Sequence, residues 1–214
     1  LARIATALGK GRQAEPWKGP AGPLREAAAQ GVLATERGRR QAAALAAIRR
    51  ALPPDGALYT DMTQIAYSGN ALFPVHAPRS WFHPSGYGTL GYALPAAIGG
   101  KIAAPERPVA ALLGDYGFQF TLPELATAAQ EGLSLPVLVW NNDRLAQISD
   151  DMVASGIPEI GVAQTNPDFL LLAQAYGLYG VRPNGPQALE TALRDALARP
   201  APTLIDIRED RMPA

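Results

Sequence analysis

Short, unbroken apolar runs alternate with stretches of helical period along most of this chain. Residues 109–113 form the clearest run, Val-Ala-Ala-Leu-Leu, which stops abruptly at Gly114-Asp115. That pattern predicts a buried parallel strand delivering a carboxylate at its carboxyl edge. Thr121-Leu122-Pro123-Glu124 has the spacing of a capping box with a proline near the helix start, and residues 125–131 continue a predicted helix until Gly132 stops it. A second apolar run, residues 137–140, opens after Pro136 and ends in Asn141-Asn142. Strand, crossover helix and parallel strand place Asp115 and Asn142 side by side at one sheet edge, where doubly wound folds bind ligands.

The rest of the pattern extends this unit. Thr35-Glu36 opens a predicted helix in which Leu45, Ile48 and Leu52 recur at i, i+3 and i+7 before Pro53-Pro54 ends it. Residues 57–59 predict a short strand stopping at Thr60-Asp61-Met62-Thr63-Gln64, residues 178–198 a strand–helix pair, and residues 203–207 a last strand. The expected fold over residues 35–214 is therefore a doubly wound α/β domain, a mostly parallel sheet with helices on both faces. Residues 1–34 do not follow the alternation. A short helical piece, a loop through residues 19–23 and an Ala-rich piece from Leu24 read as the tail of a preceding domain plus a linker. A start at Leu1 rather than Met suggests a segment of a longer polypeptide.

Composition narrows the partners. A hydrophobic content of 48% with 18% charged residues supports a proper core, and 19 basic against 19 acidic residues give no electrostatic footprint for nucleic acid or an anionic membrane. No apolar run approaches membrane-spanning length, and the first residues lack the apolar core of a signal peptide. The chain has no cysteine, hence no disulfide framework, thiolate nucleophile or zinc-finger spacing, which is compatible with a cytoplasmic location. His76 and His83 show no triad or metal-ligand spacing, and structural or supporting roles are expected for both.

A carboxylate, an amide oxygen and a nearby main-chain carbonyl suit Mg2+, which takes few protein ligands and fills its shell from phosphate and water. Gly114-Asp115 followed by Asn141-Asn142 resembles the diphosphate–magnesium motif of thiamine diphosphate-dependent enzymes. The resemblance implies that Asp115, Asn142 and the backbone of Arg144 hold the metal, while the backbone around Gly114, Asp115, Tyr116 and Gly117 holds the diphosphate. The family carries a third glycine where this chain has Tyr116, with Gly117 one place later, which puts the local φ angles in question. By themselves these pairs also fit an ordinary βαβ unit with polar turns.

Residues 86–100, Gly-Tyr-Gly-Thr-Leu-Gly-Tyr-Ala-Leu-Pro-Ala-Ala-Ile-Gly-Gly, are similar to the family's glycine-rich segment. By that likeness the Gly88 carbonyl accepts from the cofactor's 4′-amino group, Leu90 props the cofactor in its bent form, and Thr89 lies between them at the cofactor. Read alone, the segment is a Gly-rich turn before a buried helix. Thr63 and Gln64 fall at diphosphate-contacting positions, or equally form a polar strand end and N-cap. Gln147 and Ile148 match positions facing the substrate near the reactive carbon, which makes Leu90 and Gln147 the residues expected nearest the chemistry.

Asp150-Asp151 suits a guanidinium or ammonium group, or else complements a helix dipole. Residues 145–152 resemble the branch acting on arginine-derived 2-oxo acids such as 5-guanidino-2-oxopentanoate, otherwise close to acetolactate synthase. The implied activity is thiamine diphosphate- and Mg2+-dependent decarboxylation of a small-molecule 2-oxo acid. An acetolactate synthase-type carboligase and a non-catalytic cofactor-anchoring module remain open. Family members draw their activating glutamate from a pyrimidine-binding domain of the same or another subunit, within a homodimer or homotetramer. No segment here matches that domain, so the chain is expected to hold half a site and to be inactive alone.

Overall fold

Thr35 caps the helix that its position predicts: its side chain accepts a hydrogen bond from the backbone N–H of Gly38 at 2.9 Å. In the computed structural model, which describes residues 21–163 and 165–214, this helix is α2 (Glu36–Ala51), preceded by α1 (Ala21–Leu33). The helical piece expected within the first 20 residues lies outside the described residues. The loop expected through residues 19–23 is corrected in its second half, because residues 21–23 begin α1. Pro23 sits there in the first helical turn, where its missing N–H costs no intrahelical bond.

Six strands follow: β1 (Ala57–Thr60), β2 (Trp81–Phe82), β3 (Val109–Gly114), β4 (Pro136–Asn141), β5 (Tyr179–Val181) and β6 (Thr203–Arg208). They form one sheet in the order β2-β1-β3-β4-β6-β5, and every pairing is parallel. The unbroken apolar runs are explained by burial on both faces. Along β3 and β4, Ala110, Leu112, Leu138 and Trp140 pack on the side of α2 and α9 (Pro186–Ala198). The alternate residues Ala111, Leu113, Val137 and Val139 pack on the opposite side, with α4 (Ala93–Ala103). Period-two alternation thus places each residue in one of two apolar layers.

Several elements escaped the periodicity. β2 is only two residues long, and α3 (Gln64–Leu72) and α8 (Phe169–Ala175) are short. A further helix, α5 (Asp115–Phe120), begins directly where β3 ends. The capping box at Thr121–Glu124 is not made. Pro123 occupies the N-cap of α6 (Glu124–Gln130), the Thr121 hydroxyl is buried without a partner, and Glu124 instead accepts from the hydroxyl of Thr127 at 3.1 Å. With α5 ending only at Phe120, Thr121 closes one helix and so is not free to open the next. Gly132 stops α6 as expected, in the left-handed region at φ 58°.

Chain direction sets the place of the site. From β1 the sheet grows one way to β2, and from β3 it grows the other way to β4, so the crevice outside the carboxyl ends of β1 and β3 is a topological switch point.

Candidate functional site

A cavity of about 220 Å³ opens at that switch point. It is lined by Met62, Thr63, Gln64 and Tyr67 after β1, Gly88 and Leu90 before α4, Gly114–Gly117 after β3, and Asn142 with Arg144 through Ile148 after β4. One wall therefore brings together Thr63, Gln64, Gly88, Leu90, Gly114, Asp115, Tyr116, Gly117, Asn142, Arg144, Gln147 and Ile148. Thr89 is exposed beside the cavity, its hydroxyl donating to the carbonyl of Leu90. Asp150 and Asp151 lie one turn farther along α7 (Ala146–Ala154), outside the lining.

Asp115 is the electrostatic centre of this edge. Register pairs Gly114 with Trp140, which sets the residues after β3 and β4 next to each other. Asp115 Oδ2 accepts from the backbone N–H of Asn142 at 3.2 Å, that of Asp143 at 2.7 Å and the side-chain amide of Asn166 at 2.8 Å, while Oδ1 accepts from the N–H of Tyr116. Asp143 adopts φ 58°, a left-handed conformation that Asp tolerates better than most residues. Burial pushes the Asp115 carboxyl above its ordinary range, and these hydrogen bonds, Asn166 first, oppose the rise. All four donors are neutral.

Three helices begin at the cavity: α3 at N-cap Thr63, α5 at Gly114 and α7 at Leu145. No N-cap side chain bonds any of the three, so apart from the Tyr116 N–H taken by Asp115 Oδ1 the first-turn N–H groups and positive dipole ends are left at the cavity. That arrangement favours an anion such as a diphosphate. Among the described residues no three His, Cys, Asp or Glu side chains cluster to hold a metal. One carboxylate with neutral oxygens instead suits Mg2+, which completes its shell from phosphate and water. The residues fit both groups. Tyr116 does not disturb this geometry, since it lies in the first turn of α5 and needs no positive φ. The glycine is required at 117, where a Cβ would overlap Asp61 Oδ2.

The residues that organise this edge were mostly absent from the motif. The Asn166 amide reaches Asp115, Asn141 Oδ1 at 3.0 Å and Asp143 Oδ1 at 2.9 Å from a loop distant in sequence. Glu209 accepts from the amide of Asn142 at 3.1 Å and the indole N–H of Trp140 at 3.2 Å. Only the loop pair Asn166-Pro167 offered any signal, and it reads as a turn. Asp150 is engaged by Arg37, which holds it in an ion pair, and by Arg144 at 3.4 Å and Gln64 at 3.2 Å. Burial opposes ionisation of Asp150, but Arg37, Gln64 and Arg144 together outweigh it and leave the carboxyl below its usual range. Asp151 is exposed and accepts from the Gln147 amide at 3.1 Å. His83 lies outside the cavity lining, sharing a 2.9 Å hydrogen bond with Thr60 Oγ1 and packing edge-on to Tyr67.

Comparison with known proteins places this edge in context. Residues 61–207 match the family model described as thiamine pyrophosphate enzyme, C-terminal TPP binding domain. The probable 2-ketoarginine decarboxylase AruI of Pseudomonas aeruginosa is 53% identical over 162 residues, covering 75% of this chain and 29% of the relative. The acetolactate synthase isozyme 3 large subunit of Escherichia coli is 37% identical over 145 residues, covering 67% of this chain and 25% of the relative. Among solved structures, the thiamine diphosphate-dependent 4-hydroxybenzoylformate decarboxylase of Rhodococcus jostii RHA1 superposes with a TM-score of 0.73 at 28% identity, covering 78% of this chain and 32% of that one. The chain thus spans less than a third of the length of each of these relatives. The match over residues 61–207 runs from the end of β1 into β6 and takes in every loop of the cavity, and by it the chain belongs to the C-terminal TPP-binding domains of the thiamine pyrophosphate enzymes.

Proposed function

We propose that this chain supplies the diphosphate- and Mg2+-binding half of a cytoplasmic enzyme that decarboxylates a 2-oxo acid, with 5-guanidino-2-oxopentanoate as substrate. The observation that carries the reading is the buried Asp115 carboxylate, held by neutral donors alone among the described residues, at the mouth of a cavity where three helices begin. A charge so placed gains most from a cation that arrives with its ligand. Asp115, Asn142 and the Arg144 carbonyl would hold Mg2+, and the N–H groups following Thr63 and Gly114 would hold the diphosphate. Gly88 and Leu90 would meet the cofactor rings, and Gln147 and Ile148 the substrate.

When bound, thiamine diphosphate supplies the electron sink that makes loss of carbon dioxide possible. The chain's own contribution would be placement: Leu90 would set the orientation of the rings, Gln147 would present its amide to the substrate, and the apolar wall around Leu145 and Ile148 would limit water. The substrate assignment draws support from the 53% identity to the probable 2-ketoarginine decarboxylase. A pyrimidine-binding domain, in the same or a second subunit of a homodimer or homotetramer, completes the site.

The test is carbon dioxide release from 5-guanidino-2-oxopentanoate and from pyruvate by the polypeptide that joins this chain to a pyrimidine-binding domain. Release from the guanidino acid that requires both Mg2+ and thiamine diphosphate is the expected result, and absence of release from either acid overturns it. The likeness to acetolactate synthase favours a second reading, carbon–carbon bond formation. Acetolactate appearing from pyruvate in the same assay would select it.

A further inference from the structure

Between β2 and α4 the chain runs through residues 83–92 without helix or strand, and this segment carries both Gly88 and Leu90 into the cavity. Nothing regular holds it at the required distance from β3. Asp61 does. It follows β1 directly, is fully buried, and its own N–H donates to the carbonyl of Leu112 at 2.9 Å, which extends the β1–β3 ladder past the strand end and pins its backbone. Its side chain then reaches across: Oδ2 accepts from the N–H of Gly91 at 2.8 Å, and Oδ1 from the N–H of Tyr92 at 3.2 Å.

The two N–H groups reach one carboxylate because they lie where the chain turns into α4, Tyr92 being its N-cap. Gly91 supplies that turn with φ 82°, and a side chain there would also press on Phe120 and Thr121. On its other side Asp61 Oδ2 lies against Gly117 so closely that a Cβ at 117 would overlap it. Three pieces of backbone therefore converge on one carboxylate: the end of β1, the turn that carries Leu90, and α5, which carries Asp115 at its start. A buried carboxylate without a cationic partner among the described residues is costly, and such a group persists where its geometry is used.

We propose that Asp61 is the positioning residue that sets Leu90 and Gly88 at their working distance from the diphosphate edge. The clamp is independent of the proposed reaction; its effect on turnover rests on that reading. Asp61 touches neither substrate nor cofactor and acts through the turn.

The test uses the polypeptide that contains this chain with its pyrimidine-binding domain. Asp61→Asn keeps the shape but leaves one oxygen to accept where two did, and it turns an NH2 toward an N–H. In the cofactor-free protein, hydrogen exchange at the Gly91 and Tyr92 amides should accelerate about tenfold, the scale of one charge-assisted hydrogen bond. Turnover per bound cofactor should fall by a similar factor, while the affinity for thiamine diphosphate with Mg2+ changes less. In a Leu90→Ala background, Asp61→Asn should remove little further turnover, because the two act through one geometry.

Unchanged exchange at both amides overturns the clamp. Additive losses with Leu90→Ala, or affinity and turnover falling in step with the melting temperature, reduce Asp61 to a structural part and overturn the proposal. If Asp61→Asn does not fold, Gly117→Ala displaces the carboxylate while keeping it, and exchange at the Gly91 and Tyr92 amides of the cofactor-free protein decides. If no variant, wild type included, releases carbon dioxide, the proposed function fails while the exchange measurement still scores the clamp.

Discussion

Two neighbouring parts of the sheet bury a carboxylate each and treat it in opposite ways. Asp206, within β6, is fully buried and is met by the Arg182 guanidinium at 2.7 Å and the Asn141 amide at 2.9 Å. Asp115, after β3, is equally sheltered but receives only neutral donors, one of them the Asn166 amide that also bonds Asn141. Two asparagines, Asn166 and Asn141, thus link a carboxylate whose counter-charge the chain supplies to one for which the described residues supply none. Both are hydrogen-bonded, so satisfaction of polar atoms does not separate them. Net charge among the described residues does: it makes the β6 edge a brace and leaves the β3–β4 edge suited to an external cation, as proposed above.

The sharpest way to break this comparison is to remove the internal cation. Arg182→Met should cost about 3 kcal/mol of unfolding free energy, the lower end for breaking a buried pair because the arginine itself is partly exposed. Urea unfolding measures it. Cofactor affinity should move far less, and a loss of affinity as large as the loss of stability would show that the two edges are one unit.

At the other edge, Asp115→Ala or Asn142→Ala in the joined polypeptide should weaken Mg2+ and thiamine diphosphate binding by roughly a hundredfold, the equivalent of losing a strong charge-assisted contact. Asn166→Ala, which removes one donor to the carboxylate, should cost about tenfold, the lower end for a supporting partner of a metal ligand. Calorimetric titration separates these outcomes, and wild-type affinity in Asp115→Ala would sink the metal assignment.

Acidity offers a gentler probe. Burial raises the Asp115 carboxyl above its ordinary 3.8, so the folded chain holds this proton more tightly than the unfolded chain does. Its contribution to stability is therefore present at low pH and is lost as pH rises from 3.8 through the raised folded value. Without metal, thermal stability should fall across that window. Mg2+ with thiamine diphosphate should restore it, because the metal binds the ionised form. Asp61 is raised in the same direction by its own burial, so Asp115→Asn should remove only part of the fall.

The smallest expected effect separates the two carboxylates of α7. Asp150 already has Arg37 and Arg144, whereas Asp151 touches only Gln147, a residue of the cavity wall. The kcat/KM ratio of 5-guanidino-2-oxopentanoate to pyruvate should drop several-fold in Asp151→Asn, as expected for a partly exposed ion pair worth up to about 1 kcal/mol. In Asp150→Asn that ratio should change less and stability more. The reverse result would assign the substrate cation to Asp150.

Legibility from sequence followed the physics of each element. The β3 and β4 strands were readable because burial on both faces forces an unbroken apolar run, and the polar pair ending each run marks the sheet edge. α5 was not readable, since its six residues begin inside the metal motif, and a helix so short has no period to detect. The capping box failed because the same threonine that suited one helix start was already closing another helix. For the site, Asp115, Asn142, Gly88 and Leu90 were found through motifs, and the cavity does bring them together. Asp61, Asn166 and Glu209 carry no motif, since their partners lie 30, 51 and 67 positions away.

What the amino-acid sequence determined alone was the alternation of elements, the parallel sheet that follows from it, and the oxygen donors presented at two adjacent strand ends. These depend on periodicity and on local turn chemistry, which act over a few residues. Tertiary structure decided which charges are neutralised. Arg182 belongs to Asp206 and Arg37 to Asp150, while Asp115 and Asp61 are held by backbone and amide groups. Pairing between side chains far apart in sequence depends on strand order and on the paths of loops, and only the assembled sheet brings those partners within hydrogen-bond reach.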